Sequence, residues 1–325
     1  WSGLRDWCKM QGLPKTKLTL AYFPDTFRGM MATRDIDQGE DIIRVPERLL
    51  VTASKVRRLT MARAKADSSS AAGMGGWDLS EHQSLAYWVY TEAELGQRSE
   101  WHSYISTLPR DFASVPLFVG AKWVLSRLPH SMRQKIAEQQ SRLFNDWTHT
   151  CASLSAANSR PVTSWRLYVW AWLAVNTRCI HLGRHSAQTD ILRPISGDDS
   201  IALAPVLDFL NHSGQADVSV RFDEKQKCFS IRTNRPYAKG QEVFISYGPH
   251  DNRFMLAEYG FVLAHNPFQF LELDHVAAMG PSDVDTLVAT LKQHGLWGDF
   301  TISLDALEPS YRLQAALQLL LQAGQ

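Results

Sequence analysis

A chain of 325 residues that is 45% hydrophobic can bury a sizeable core in one large domain or two ordinary ones, which excludes a disulfide-stapled miniprotein and a largely disordered chain. With 34 Lys and Arg against 33 Asp and Glu, the net charge of +1 provides no global basic field for nucleic acid, so a chromatin contact would run through a peptide or a local patch. The four cysteines, Cys8, Cys151, Cys179 and Cys228, show neither CxxC nor Cys/His spacing, which predicts reduced thiols, a cytosolic or nuclear setting and no metal.

The chain opens at Trp1 without a signal-peptide pattern, and no apolar run is long enough to span a bilayer, so a soluble protein is expected. Residues 1–12 predict a short helix with Leu4, Trp7 and Cys8 on one face, ended near Gly12. Over residues 18–52 the pattern turns to β: LTLAYF, FRGMMATR, DIIRV and LLV are strand candidates separated by turn residues. The stretch RDIDQGEDIIRVP is echoed further on by RPYAKGQEVFISY, a shared turn-glycine-strand layout that falls short of a repeat fold.

Residues 59–76 are small and polar without an apolar period and predict a connector. Ser80 and Gln83 then fit a capping box opening a helix with Leu85, Trp88 and Val89 facing inward. Further helices are expected over 121–128, 131–148 and 164–178, the last apolar almost all round, as in a buried helix. Arg178 closes it, and a guanidinium so close to an apolar helix needs either the helix's own terminal carbonyls or a carboxylate. Residues 183–200 read as a second polar connector.

The segment 201–268 reads IALAPVLDFLNHS, then a hairpin VSVRF-DEKQ-KCFSI, then RPYAKGQEVFISYGPHDNRFMLAEYGF. Asn211 and His212 end an apolar run, and Tyr247 leaves the strand EVFIS to enter Gly248 and Pro249. Polar groups at such places line a site. His250 and Asp251 read as solvated turn residues, and helices are expected again over 282–295 and 311–323.

The order and spacing of NHS, a strand pair, a strand ending in Tyr-Gly and a helix running into YGF resembles the SET-domain protein lysine methyltransferases, in the branch typified by plant Rubisco large-subunit methyltransferase. The resemblance implies an α+β fold: a β-rich, knotted SET domain split by a mainly α-helical insertion and followed by a truncated α-helical C-terminal region. On that division 1–76 is the first part of the SET domain, 77–200 the insertion, 201–268 the second part and 269–325 a partial substrate-binding domain. It implies methyl transfer from S-adenosyl-L-methionine to the lysine ε-amine of histone tails or non-histone proteins, in nucleus and cytoplasm. No nucleic-acid or membrane partner is expected, and no motif encodes the oligomeric state.

Residue by residue, the resemblance makes Tyr247 the catalytic phenol, which also touches the cofactor, with Tyr259 and Phe261 on the lysine channel and cofactor wall. Phe222 and Tyr259 fall on the substrate side. Asn211 and His212 lie against the cofactor, Arg178 contacts it, and Asp208, one helical turn before His212, orients that imidazole or serves as a cap. FRGMM resembles a G-x-G cofactor turn of which only Gly29 is retained, so Arg28, Gly29, Met30 and Met31 are expected to contact the cofactor through their backbone. The phenol and the Asn-His pair are expected to converge on one tunnel. There the lysine must be neutral: with a pKa of ~10.4 about one in a thousand is so near pH 7.4, a cost of roughly 4 kcal/mol that an apolar aromatic channel and a neighbouring sulfonium reduce.

The residues alone leave alternatives open. Tyr247 also suits an ordinary strand-end tyrosine, and Asn211 with His212 a structural polar pair. NHS is formally a glycosylation acceptor. Asp208 and His212 have metal spacing but lack a third ligand, and Ser246 lacks a G-x-S-x-G elbow. A SET scaffold that binds peptides without catalysis is the competing function.

Overall fold

In this computed structural model the described residues are 2–66, 78–118, 122–157, 159–182, 184–186, 189–193, 199–223, 225–273 and 284–323. They fall into two units, Trp1–Ser246 with Leu256–Gly260, and Tyr247–Met255 with Phe261–Gln325. The first begins with α1 (Ser2–Met10), which buries Leu4, Trp7 and Cys8 as their spacing predicts. Strands β1 (Leu18–Phe23), β2 (Phe27–Ala32) and β3 (Asp41–Pro46) follow.

LLV is not a strand: Leu49 lies in a 3-10 turn, and Val51 makes a single bridge to Leu203. The expected connector is helical through its first half, as α2 (Ala53–Ala66), because Leu, Met, Ala, Arg and Lys favour helix even without an apolar stripe. Residues 67–76 of it lie outside the described residues.

The capping box forms as expected at the start of α3 (Glu81–Leu95): Gln83 N donates to Ser80 Oγ at 3.2 Å and Ser80 N to Gln83 Oε1 at 3.0 Å. Every residue from Gln83 to Glu92 is buried, so α3 is wrapped on all sides instead of facing inward along one stripe. After the short α4 (His102–Ile105) and α5 (Lys122–Arg127) comes α6 (His130–Ala156), which overruns the expected helix at both ends. In α7 (Trp165–Arg178), Ser164 Oγ accepts from Leu167 N at 3.3 Å, and Trp172 is fully buried where the helix packs on α3. Strand β4 (Ile180–His181) and the pair β5 (Arg184–Ser186) and β6 (Thr189–Arg193) come next; that pair replaces part of the second expected connector.

Strand β4 pairs with β7 (Ile201–Ala202). The remaining strands of this unit are β8 (Asn211–His212), β9 (Val218–Asp223), β10 (Cys228–Thr233) and β11 (Glu242–Ile245). Two sheets result, ordered β1-β2-β11-β8 and β3-β10-β9. The β8 and β11 strands run parallel, with Phe244 opposite Asn211 and Ile245 opposite His212. Parallel neighbours need a crossover, and the β9-β10 hairpin in the other sheet supplies it.

The faint echo in the sequence is a pseudo-twofold exchange in the backbone. Ile36 N donates to Tyr237 O at 2.8 Å and Tyr237 N to Ile36 O at 2.9 Å. Gly39 N reaches Thr233 O at 2.7 Å, and its counterpart Gly240 N reaches Ala32 O at 2.8 Å. Both glycines are left-handed, with φ of 85° and 91°. Even the side-chain lock recurs: Glu40 Oε2 accepts from Asp37 N, and Gln241 Oε1 from Ala238 N.

In the second unit, α9 (Val284–Gln293) and α10 (Tyr311–Ala323) form where expected, around a small core of Leu291, Phe300, Leu313 and Ala316. The antiparallel pair β12 (Phe270–Glu272) and β13 (Thr301–Ser303) was not legible, since three-residue strands carry no measurable alternation. Helix α8 (Asn252–Tyr259) leads into the YGF turn. No helix among the described residues is long and apolar enough to cross a membrane.

Candidate functional site

Arg178, at the end of α7, finds the carboxylate alternative. Its Nη1 donates to the Asp208 carbonyl at 2.6 Å and lies 3.9 Å from Asp208 Oδ2. The Tyr104 hydroxyl donates to the same Oδ2 at 2.9 Å. Burial pushes the Asp208 carboxyl above its usual range, against the opposing pull of Arg178, the Tyr104 hydrogen bond and Arg28. Burial likewise drives the Tyr104 phenol well up, with the Asp208 charge adding to it.

Two guanidiniums share one ring: Arg28 lies 4.8 Å and Arg178 5.9 Å from the Phe209 centroid. Burial and then Arg178 lower the Arg28 pKa, and Asp208 opposes them. Asp208 sits in the 3-10 turn Leu207–Phe209 and His212 in β8, so the helical spacing expected between them does not exist. The Asp208 carboxylate is bonded to Tyr104 and paired with Arg178. His212 is buried. Among the described residues no three metal-ligating side chains gather.

The expected glycine turn is strand instead, since Gly29 lies within β2 opposite Ala21 of β1, and it is built on contact. A Cβ on Gly29 would meet Glu242 Oε1 at 2.2 Å and Asn211 Nδ2 at 2.8 Å. Asn211 Nδ2 donates to Glu242 Oε1 at 2.8 Å and to Arg28 O at 3.1 Å, and Thr26 Oγ1 donates to Glu242 Oε2 at 2.6 Å. The Asn211 amide therefore ties β8 to β2 and β11. Phe27, where the G-x-G resemblance wants its first glycine, adopts φ 59°, the left-handed region glycine enters without strain. Met30 is fully buried and its backbone lies between Leu20 of β1 and Val243 of β11; Met31 is half-buried.

Beside this cluster is a cavity of about 510 Å³, within the range of about 300–1,000 Å³ that small-molecule sites occupy. Arg28, Leu20 and Phe209 line one part of it, and the segment 106–110 the rest. Sequence reading missed that segment. The available signal was the Leu108-Pro109-Arg110 break after a short aromatic helix, which cannot continue helix and holds a backbone wall. Asp208 Oδ1 and Arg178 Nε are buried and bond to no described residue, leaving one anionic acceptor and one cationic donor unused. Neither residue lines the cavity itself; Phe209, whose ring the Arg28 and Arg178 guanidiniums both approach, does, and the volume admits a nucleoside-sized body.

Tyr259 is half-buried at the end of α8, and the residue before it is clamped. Glu258 Oε2 accepts from Gln139 Nε2 at 2.9 Å, Arg142 Nη2 at 3.0 Å and Asn176 Nδ2 at 2.9 Å, which ties it to α6 and α7. Gly260, at φ 81°, lets the chain approach Ser114 and Val115 so closely that a Cβ would fall 2.8 Å from the Ser114 carbonyl carbon.

In the second unit Tyr247 is half-buried, its ring edge-on to Phe261 with centroids 6.4 Å apart. His250 and Asp251 are not solvated turn residues. His250 stacks on Phe254 at 3.9 Å, and the buried Asp251 caps α8 by accepting from Phe254 N at 2.9 Å. Phe222 lies on the edge strand β9 opposite Phe229, in a different sheet from Arg28, Gly29, Asn211 and His212.

A α+β fold of two small sheets split by a helical insertion, with the NHS and Tyr-Gly segments in place, defines the class: the chain belongs to the SET domain family, which matches residues 28–248. The match runs from Arg28 to Gly248 after Tyr247. More narrowly, the chain is 35% identical to SET domain-containing protein 4 of Mus musculus, over 98% of this chain and 71% of that protein. It is 26% identical to the ribosomal lysine N-methyltransferase set11 of Schizosaccharomyces pombe, over 97% of this chain and 73% of that one. In fold it is similar to the SET domain of LSMT bound to lysine and AdoHcy, with a TM-score of 0.71 at 16% identity, over 98% of this chain and 70% of that one.

Proposed function

We propose that the protein is an S-adenosylmethionine-dependent protein-lysine N-methyltransferase. The observation that carries the reading is the cavity of about 510 Å³ lined by Arg28 and by Phe209, the ring that Arg178 also approaches at 5.9 Å, in a chain of the SET domain family. S-adenosylmethionine, when bound, supplies an electrophilic methyl on a sulfonium. Asp208 and Arg178 would hold its amino-acid end, Arg28 and Gly29 would offer backbone to it, and Asn211 would fix the strand that does so. The edge-on Tyr247 and Phe261 rings would disfavour an ammonium, and the Tyr247 hydroxyl would hold the neutral amine. Proton loss from lysine then needs no metal.

The relatives named as lysine N-methyltransferases support an active enzyme over a peptide-binding scaffold without catalysis. The substrate class is lysine in proteins; within it we place both histone tails and non-histone proteins such as those of the ribosome. The four cysteines are all free thiols, which supports a reducing compartment, nucleus and cytoplasm.

The test is titration calorimetry with S-adenosylhomocysteine, followed by labelled-methyl incorporation into core histones and into ribosomal proteins. Tyr247→Phe is expected to retain cofactor affinity and lose about 100-fold in incorporation, the scale of a misplaced reacting group. Equal incorporation by both forms removes Tyr247 from its role. Absence of cofactor binding removes the enzyme reading.

A further inference from the structure

The segment 106–110 that closes the first cavity has a second one against it, because Ser106, Leu108, Pro109 and Arg110 line both. This second space is an open groove of about 440 Å³ between α3, α4 and the first turns of α7. Its apolar surface comes from Ile105, Leu108, Leu167 and Trp170, with Arg110 and Arg166 among its lining residues. Ile105 and Leu108 are 7% and 4% exposed, so they are anchored in the core. The Trp170 indole N–H donates to Pro109 O at 2.7 Å, which fixes the wall to α7.

The local charge census decides what the groove would take. Arg110 and Arg166 are exposed, and neither bonds to a described residue. The acids nearby are already engaged: Glu94 by Arg160 at 2.9 Å and by the Tyr90 hydroxyl, Glu92 by Arg63 at 2.7 Å and by Ser99. Asp111 Oδ1 accepts from Ala113 N at 3.2 Å. Among the described residues neither guanidinium beside the apolar floor forms an ion pair, and the Asp111 carboxylate next to Arg110 bonds a backbone N–H. The two guanidiniums match a chain segment that presents an aliphatic or aromatic side chain between carboxylates.

We propose that this groove docks an acidic, apolar-centred segment of a partner protein. The floor takes the apolar side chain, while Arg110 and Arg166 pair with the flanking carboxylates. Docking needs no cofactor, so it stands or falls apart from the methyl-transfer reading.

The test is fluorescence polarisation of the full chain, without cofactor, against a fluorescein-labelled Ser-Glu-Leu-Phe-Glu-Ser peptide and its twin with both glutamates replaced by lysine. The acidic peptide is expected to bind, the basic twin to fail, and the affinity to fall as salt is raised. The double variant Arg110→Glu/Arg166→Glu, at two exposed positions that leave the core intact, should lose about tenfold or more for the acidic peptide and gain affinity for the basic one. Equal binding of both peptides, no binding of either, or an acidic-peptide affinity unchanged in the double variant would overturn the proposal.

Discussion

The two copies of the turn, 34–43 and 235–244, share a backbone and differ in what their acids do. Asp41 and Glu242 occupy matching places, each two residues past the left-handed glycine. Asp41 faces three arginines, with Arg221 and Arg232 at 3.1 Å and Arg44 at 4.0 Å, all partly exposed. Among the described residues Glu242 pairs with no cation: it is held by Thr26 and Asn211 over the bare Cα of Gly29. One copy ends in a surface ion cluster and the other against the strand that frames the candidate cofactor cavity. The same local geometry therefore carries no function by itself; the partners brought to the acid decide it.

Gly29→Ala should break that contrast most strongly. Its Cβ has to displace a carboxylate already fixed by two hydrogen bonds, so we expect a loss of roughly 3 kcal/mol in chemical denaturation together with loss of cofactor binding. Glu242→Ala comes next at roughly 2 kcal/mol, because it removes the acceptor of the Thr26 hydroxyl and the shorter of the Asn211 amide's hydrogen bonds, leaving the one to Arg28 O. Asp41→Ala, compared by the same denaturation, should cost about 1 kcal/mol or less and fade in high salt, as partly exposed pairs do. Equal losses at the two acids would erase the distinction drawn here.

Gly39→Ala and Gly240→Ala sharpen the shared half of the comparison. A Cβ meets nothing within 4 Å at either glycine, and both are left-handed, so thermal melts should show matching losses of about 1 kcal/mol. The smallest effect is a gain. Phe27→Gly releases a left-handed backbone from its side chain, while the ring it removes is 63% exposed and packs edge-on against Tyr22. A stabilisation of about 0.5 kcal/mol is expected; a lower melting temperature would mean that the aromatic pair matters more than the strain.

Much of this was readable before any coordinates. Leu4, Trp7 and Cys8 on one helix face, the Ser80–Gln83 box, the β9-β10 hairpin and the bounds of α10 follow from periodicity and turn chemistry, which act over a few residues. The helix α2 was missed because a solvent-facing helix of good formers shows no apolar period, and β12 and β13 because three residues are too few to alternate. Asp251 was misread for the same reason: its value as a cap depends on Phe254 N, three residues away, and on being buried.

By itself the sequence determined the class of protein and the residues worth watching, since NHS, Tyr-Gly and YGF occur in order and at their spacing. Only the tertiary structure decided the company those residues keep. Asn211 serves the strand that holds Gly29, Asp208 belongs to Arg178 and Tyr104, and residues 106–110 wall the cavity. These partners are distant along the chain, and burial, close approach and charge pairing are properties of groups that meet in space.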